Sequence, residues 1–140
     1  MEDDLLNGFF ITLSNLSFVG QIQNDISHAK KILGIVQKSE SHKIFVAVLE
    51  NKQIIGTVTV FVEQKFIHDG GKICHIEDVA TRNGYEGKGI GSALVKKAIN
   101  FAKKIKSYKI ILSCNEKNQS FYEKLGFRKY EMSMRYDIST

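Results

Sequence analysis

Proline is absent from all 140 residues, which removes the usual material of a stiff interdomain linker. Internal repeats and low-complexity stretches are missing too, so residues 1–140 are expected to form a single domain. No apolar run approaches the roughly 18 residues that a membrane-spanning helix needs, so no membrane partner is expected. The N-terminus MEDDLLNG is acidic where a secretory signal would be basic, and the expectation is a cytoplasmic protein. The sequons Asn15-Leu-Ser17 and Asn118-Gln-Ser120 are then set aside. Cysteine is limited to Cys74 and Cys114, too few for a disulfide framework; both are expected as reduced thiols packed in the core. The four histidines show no H-x-x-x-H or Cys/His ligand spacing, and strand alternation would split His75, Glu77 and Asp78 between faces. No metal is expected.

Hydrophobic residues make up 43% of the chain and charged residues 25%, a mixture that buries a core and argues against disorder. The formal net charge of +5 reads either as a solvated basic surface or as a face for anionic small molecules. No nucleic-acid motif accompanies it, so no nucleic-acid partner is expected.

The apolar stretch 8–20, GFFITLSNLSFVG, reads as a short strand running into a turn or helix. Asn24-Asp-Ile-Ser27 provides caps for a helix over 27–38, with Ala29, Ile32, Leu33 and Val36 on one face. IFVAVLE at 44–50 and IIGTVTVFVE at 54–63 form a hairpin across an Asn51-Lys-Gln turn. After a loop, KICHIEDVA at 72–80 is a strand. A helix at 89–105 recurs on Ile90, Leu94, Ala98, Phe101 and Ile105. YKIILSC at 108–114 is a buried strand, 118–125 a short helix closed by Gly126, and 127–137 a final strand. The order β-α-β-β-β-α-β-α-β implies a mixed sheet with helices on its faces.

YEGKGIGSALV at 85–95 sets Gly87, Gly89 and Gly91 just before the long helix. A P-loop would need Ser or Thr after Gly87-Lys88, where Gly89 stands. A dinucleotide fingerprint would need its third glycine one residue later and an acid near position 111, which is Ile. A tight strand-to-helix turn needs only one glycine. Three alternating glycines favour backbone amides exposed to an anion at a helix N-terminus.

At this loop the chain resembles a known family. A strand, a Q/R-x-x-G-x-G/A loop and a helix form the acyl-CoA motif of the GNAT N-acetyltransferases. NQSFYEKLGF at 118–127 is similar to that family's N-x-x-x-[FY]-Y-x-x-x-G-F segment. KFIHDGG at 65–71, HIEDVA at 75–80, YKIILSC at 108–114 and EMSMR at 131–135 bring the resemblance closer still to the branch that acetylates glucosamine 6-phosphate. It spans 64–136, and more weakly LSNLSFVG at 13–20.

The resemblance implies an α/β (α+β) GNAT fold: a mixed sheet of about six strands, splayed at the acetyl-CoA site and flanked by about four helices. It implies acetyl-CoA as co-substrate, held at Gly87, Lys88, Gly89, Ile90, Gly91, Ser92 and Asn118. The backbone of Val79, Ala80 and Thr81 would pair with the pantetheine arm, though by pattern alone these residues are plain strand. Tyr122 by pattern reads as a core aromatic; the resemblance sets its hydroxyl near the CoA sulfur as general acid. Glu77 and Asp78 read as surface charge at a strand end, or, following the resemblance, as the zone that binds the substrate amine, with Glu77 as proton acceptor. Lys65, His68, Tyr108, Lys109 and Arg135 lie at substrate positions, with Ser17 where the family usually has Thr. The family's pocket is shared across a homodimer, so the partner chain is expected to contribute.

Two residues depart from the pattern. Glu86 replaces the usual Gln or Arg and is expected to face solvent or pair with a lysine, since a carboxylate aimed at a pyrophosphate opposes binding. Ser113 replaces an acid that touches the sugar. The alternatives are a different amine acceptor, or an acetyl-CoA-binding module without catalysis. Lys65, Lys109 and Arg135 favour an anionic acceptor, and Tyr122 with Glu77 and Asp78 favours catalysis.

Overall fold

Two β-branched runs set the frame of the computed structural model, which describes residues 1–139. β1 (His42–Val48) and β2 (Ile54–Gln64) form an antiparallel hairpin. Its turn is closed by Leu49 and Gln53, whose N–H and C=O meet at 2.9 Å. β3 (Lys72–Thr81) returns antiparallel to β2, and β4 (Lys109–Ile111) lies parallel to β3, so the sheet order is β1-β2-β3-β4. Such a parallel pair needs a crossover. The long helix α5 (Ile90–Lys104) supplies it.

Leu94, Val95, Ala98 and Ala102 recur at helical spacing on α5, and all four are buried. They pack on Val58, Val60, Cys74 and Ile76 of β2 and β3 to make the core. Gly56 lets the helix seat this closely, because a Cβ there would stand 2.7 Å from Ile90 Cγ2 and 2.8 Å from Leu94 Cδ1. Gly56→Ala is therefore expected to destabilise the fold by about 1–3 kcal/mol through overpacking. Thermal melting tests this; an unchanged midpoint would show that α5 slides freely on the sheet.

The N-terminal segment differs from the sequence expectation. Residues 8–20 contain no strand. α1 (Glu2–Asp4), a π-type turn at Leu5–Phe9 and α2 (Phe10–Ser14) form a helical stretch with a kink at Asn7 and Gly8. Thr12 explains the choice: it is fully buried, and its hydroxyl donates to the Ile54 carbonyl at 2.9 Å. A 3-10 turn at Gln21–Asn24 leads to α3 (Ile26–Lys38), capped by Asp25, whose carboxylate accepts the His28 N–H. Between β2 and β3 lies the single turn α4 (Ile67–Gly70), with His68 and Asp69 at left-handed φ.

The far end also differs. β4 is shorter than 108–114. α6 (Glu116–Glu123) begins two residues early, because the Asn115 side chain caps it by accepting the Asn118 N–H. The final strand expected at 127–137 is not formed. Its alternating pattern is intact, but Tyr130, Met132, Met134, Tyr136 and Ile138 are 57–90% exposed. A strand needs a neighbour to satisfy its N–H and C=O groups, and among the described residues this arm has none. The mixed α+β sheet accordingly has four strands among the described residues, not six.

Candidate active site

The β2–β3 register fixes the first feature of the site. Thr57 faces Ala80 and Thr59 faces Glu77, so Asp78 and Val79 together oppose Val58 alone. This is a β-bulge, with Asp78 at φ 48°. The bulge interrupts the alternation that predicted opposite faces for Glu77 and Asp78, and both carboxylates are exposed. A metal-ion cluster of three or more His, Cys, Asp or Glu is absent among the described residues.

The second feature is a gap in the sheet. β3 and β4 pair only from Ile73–Lys109 to His75–Ile111. From Ile76 to Thr81, β3 keeps β2 on one side and leaves its other edge unpaired by β4. Val79 and Thr81 are half-buried along this edge, and Ala80 is buried.

The edge runs into the glycine loop. Gly87 and Gly89 adopt φ of 73° and 81°, a region open mainly to glycine. Gly89 caps α5 without any side-chain acceptor, which leaves the first amides of the helix for an external one. Nothing lies within 4 Å of where a Cβ would stand at either glycine, so an anion can approach the backbone. Lys88 adds a cation, its Nζ 5.4 Å from the Tyr85 ring. Gly91 serves packing instead, since a Cβ there would meet the Phe121 ring at 3.4 Å and the Thr81 hydroxyl at 3.7 Å. That contact brings the loop, β3 and α6 together, with Ile90 and Ser92 half-buried beside it.

Tyr122 projects from α6 next to Phe121, with ring centroids 4.9 Å apart, and 5.9 Å from Phe127. Burial pushes its phenol above the ordinary tyrosine range, and Cys114 adds to the rise. Its hydroxyl is therefore protonated at neutral pH. Asn118 is exposed on the same helix. The cysteines divide. Cys74 is buried, its thiol pushed up by burial and 3.0 Å from the Ser107 hydroxyl. Cys114 is exposed three residues beyond β4, contrary to the expectation of a core position.

Glu86 is exposed and, among the described residues, pairs with no lysine. Its carboxylate accepts the Gly84 N–H at 2.8 Å and the Asn15 side-chain amide at 2.9 Å. Asn15 also donates to the Thr81 carbonyl at 2.6 Å. Ser17 is exposed two residues further on. Sequence reasoning noticed Asn15 only as part of a sequon, and nothing in its local pattern marks the contact with residue 86.

The remaining predicted residues gather elsewhere. His68 stacks on Tyr108 with centroids 4.1 Å apart, and the Lys109 Nζ lies over both Tyr108 and Tyr130. Tyr108 donates its N–H to the Lys72 carbonyl at the start of β3. At about 3.3 Å per residue, Lys72 and Glu77 stand roughly 16 Å apart. His68, Tyr108 and Lys109 thus gather near the start of β3, and Glu77 and Asp78 near its end. Lys65 is ion-paired with Glu63 at 2.9 Å, and Arg135 with Asp137 at 2.6 Å.

Glu63 also contacts His75 Nε2 at 3.0 Å. Hydrogen bonds from His75 and then Lys65 hold its carboxyl below the usual range, and the bond to Glu63 raises Lys65. A lowered carboxylate stabilises the fold above its unfolded pKa and loses that contribution as pH falls. A raised lysine does so below its unfolded pKa and loses it as pH rises. The stabilisation by this cluster is thus expected to be full from about pH 5 to about pH 10 and to fade on both sides. Melting of wild type against Glu63→Gln across pH tests it: the gap should close in acid, and a gap independent of pH would remove the ionic interpretation.

Comparison with known proteins places this architecture in a family. The profile of the acetyltransferase (GNAT) family matches residues 12–127. The glucosamine 6-phosphate N-acetyltransferase of Trypanosoma brucei brucei is 35% identical over 114 residues, covering 81% of this chain and 74% of that protein. The Arabidopsis thaliana protein of the same name is 32% identical over 137 residues, covering 96% and 91%. A crystal structure of glucosamine-6-phosphate N-acetyltransferase from Arabidopsis thaliana superposes with a TM-score of 0.89 at 29% identity, covering 99% of this chain and 95% of that one. With five-sixths of its length under the family profile and this architecture around the glycine loop, the chain belongs to the GNAT family of acetyltransferases.

Proposed function

We propose that the protein transfers the acetyl group of acetyl-CoA to the amine of D-glucosamine 6-phosphate, giving N-acetyl-D-glucosamine 6-phosphate and CoA. This product would feed UDP-N-acetylglucosamine synthesis. The carrying observation is the unpaired edge of β3, which leads from the bulge at Asp78 directly into the Gly87–Ser92 loop. Relatives of that name, 32–35% identical, support the acceptor.

In this reading the amides at Gly87–Ser92 hold the pyrophosphate, and Val79–Thr81 pair with the pantetheine arm as an added strand. The exposed carboxylates of Glu77 and Asp78 bind the substrate ammonium, and Glu77 accepts its proton. The neutral amine attacks the thioester carbonyl, forming the C–N bond; a backbone N–H near Val79 supports the oxyanion. As the C–S bond breaks, the Tyr122 hydroxyl gives its proton to the departing sulfur, the nitrogen loses its extra proton to solvent as the amide forms, and a solvent proton restores the phenol.

The sugar phosphate would be met by a second copy of the chain. His68, Tyr108 and Lys109 lie at the other end of β3 from Glu77, and a homodimer sharing its pockets would bring a partner's set to each site. The alternating arm at 128–139 offers the means, as a strand in need of a sheet edge.

Thiol release from acetyl-CoA in the presence of glucosamine 6-phosphate tests the reaction. No rate above background with this sugar, alongside rapid turnover of another amine, would sink the acceptor. Sedimentation tests the assembly: a fully active monomer would rule out the shared pocket.

A further inference from the structure

Glu86 is a residue whose charge and whose hydrogen bonds pull in opposite directions. It immediately precedes Gly87, so its negative charge stands at the rim of the loop assigned to the pyrophosphate. By charge alone it should weaken the binding of any polyanion. By geometry it does something else. One carboxylate oxygen accepts the Gly84 N–H at 2.8 Å, closing a ring within the loop. The other accepts the Asn15 amide at 2.9 Å. The same Asn15 nitrogen donates to the Thr81 carbonyl at 2.6 Å, on the last residue of β3. Both protons of that amide are thereby used. Asn15 closes α2, and Thr81 and Glu86 bracket the start of the loop, so one side chain from the N-terminal segment ties both ends of the 81–86 turn. Hydrogen bonds from its own backbone amide, from Asn15 and from Gly84 keep Glu86 ionised, with its pKa lowered. Gly84, Gly87 and Gly89 all have positive φ, so the tie restrains a segment with unusual conformational freedom.

We infer that Glu86 and Asn15 form a latch that sets the glycine loop in its anion-receiving shape before acetyl-CoA arrives, making both of them positioning residues for the co-substrate. This deepens the proposed function and rests on its assignment of the loop to the pyrophosphate. Restraint before binding lowers the ordering cost that the ligand must otherwise meet. The carboxylate takes two donors at once, which offsets its repulsion.

The two effects separate in a pair of variants measured by calorimetric titration with CoA. Glu86→Ala and Glu86→Gln both remove the charge, but only glutamine keeps an acceptor oxygen. The latch predicts that Glu86→Ala raises the Kd for CoA about tenfold, while Glu86→Gln, which keeps only one of the two acceptor oxygens, raises it less, by about threefold. Repulsion alone predicts that both variants bind more tightly. Asn15→Ala should weaken binding similarly, and the double variant Asn15→Ala/Glu86→Ala should be no weaker than either single one. In steady state the loss should fall on the acetyl-CoA KM, with kcat within about twofold of wild type. Glu86→Ala with unchanged or tighter CoA binding, or additive losses in the double variant, would overturn the latch. Wild-type protein that fails to bind CoA would overturn the loop assignment, and the latch with it.

Discussion

Tyr122→Phe is expected to lower kcat by about a hundredfold while leaving the affinity for acetyl-CoA within a factor of about two. The substitution removes one oxygen and keeps the ring. That ring packs between Phe121 and Phe127, so the α6 face and its contact with Gly91 should survive. What is lost is a proton donor held in the protonated form: burial raises the phenol, so it stays neutral through the physiological range. Because the acid form is the working one, the wild-type rate should not fall on the acid side on account of Tyr122. It should decline only at alkaline pH, above the ordinary tyrosine range, and the variant should lack that decline. Steady-state kinetics against pH checks both points. Equal turnover in the variant would remove Tyr122 from the mechanism.

Gly89→Val should act on the other half of the reaction. At φ 81° a β-branched side chain is strained, and a left-handed residue costs roughly 1–2 kcal/mol even without branching. There is room for the side chain, since nothing lies within 4 Å of the Cβ position. The penalty is therefore one of backbone shape, and relaxing it turns the first amides of α5 away from the anion. CoA affinity is expected to drop by tenfold or more, about 1.4 kcal/mol at the least. Turnover at saturating acetyl-CoA should be much less affected, because Tyr122, Glu77 and Asp78 are untouched. A variant with wild-type affinity would show that the pyrophosphate sits elsewhere.

The parts of this architecture that the sequence announced are those governed by a single local period. The β1–β2 hairpin follows from β-branched runs about a polar turn, and α5 from apolar residues at steps of three and four, within a residue at each end. The N-terminal segment failed for want of such a period. GFFITLSNLSFVG has apolar residues at both spacings, and what decided for helix was the distant carbonyl of Ile54, which takes the Thr12 hydroxyl. The arm after Phe127 shows the opposite failure: a clear period-two pattern that pairs with no strand among the described residues. Pattern gives the capacity to be a strand, and pairing makes one.

The site divides along the same line. Gly87, Gly89, Gly91 and Tyr122 were singled out through motif spacing, and the structure sets the glycines at the start of α5, with Gly91 against Phe121, the neighbour of Tyr122. The bulge at Asp78 was not, since an extra residue in a ladder belongs to the register between two strands and leaves no trace in either alone. The pairing of Lys65 with Glu63 joins the end of β2 to the residue just past it. Asn15 and Glu86, 71 positions apart, had no signal in the local pattern.

The brevity of β4 has a dynamic consequence. β1, β2 and β3 are joined in sequence by short turns, whereas β4 is held to β3 through only three residue pairs and reaches it across the whole of α5. Loop closure makes such a pairing the slowest to form and the first to open. The wall on one side of the gap is thus the least protected strand of the sheet, and its amides should exchange with solvent by local opening while the meander of three strands stays closed. A ligand threaded between β3 and the β4 segment would bridge them, so the same amides should slow on binding. Occupancy of the site would then be read directly from the exchange of Ile110 and Ile111.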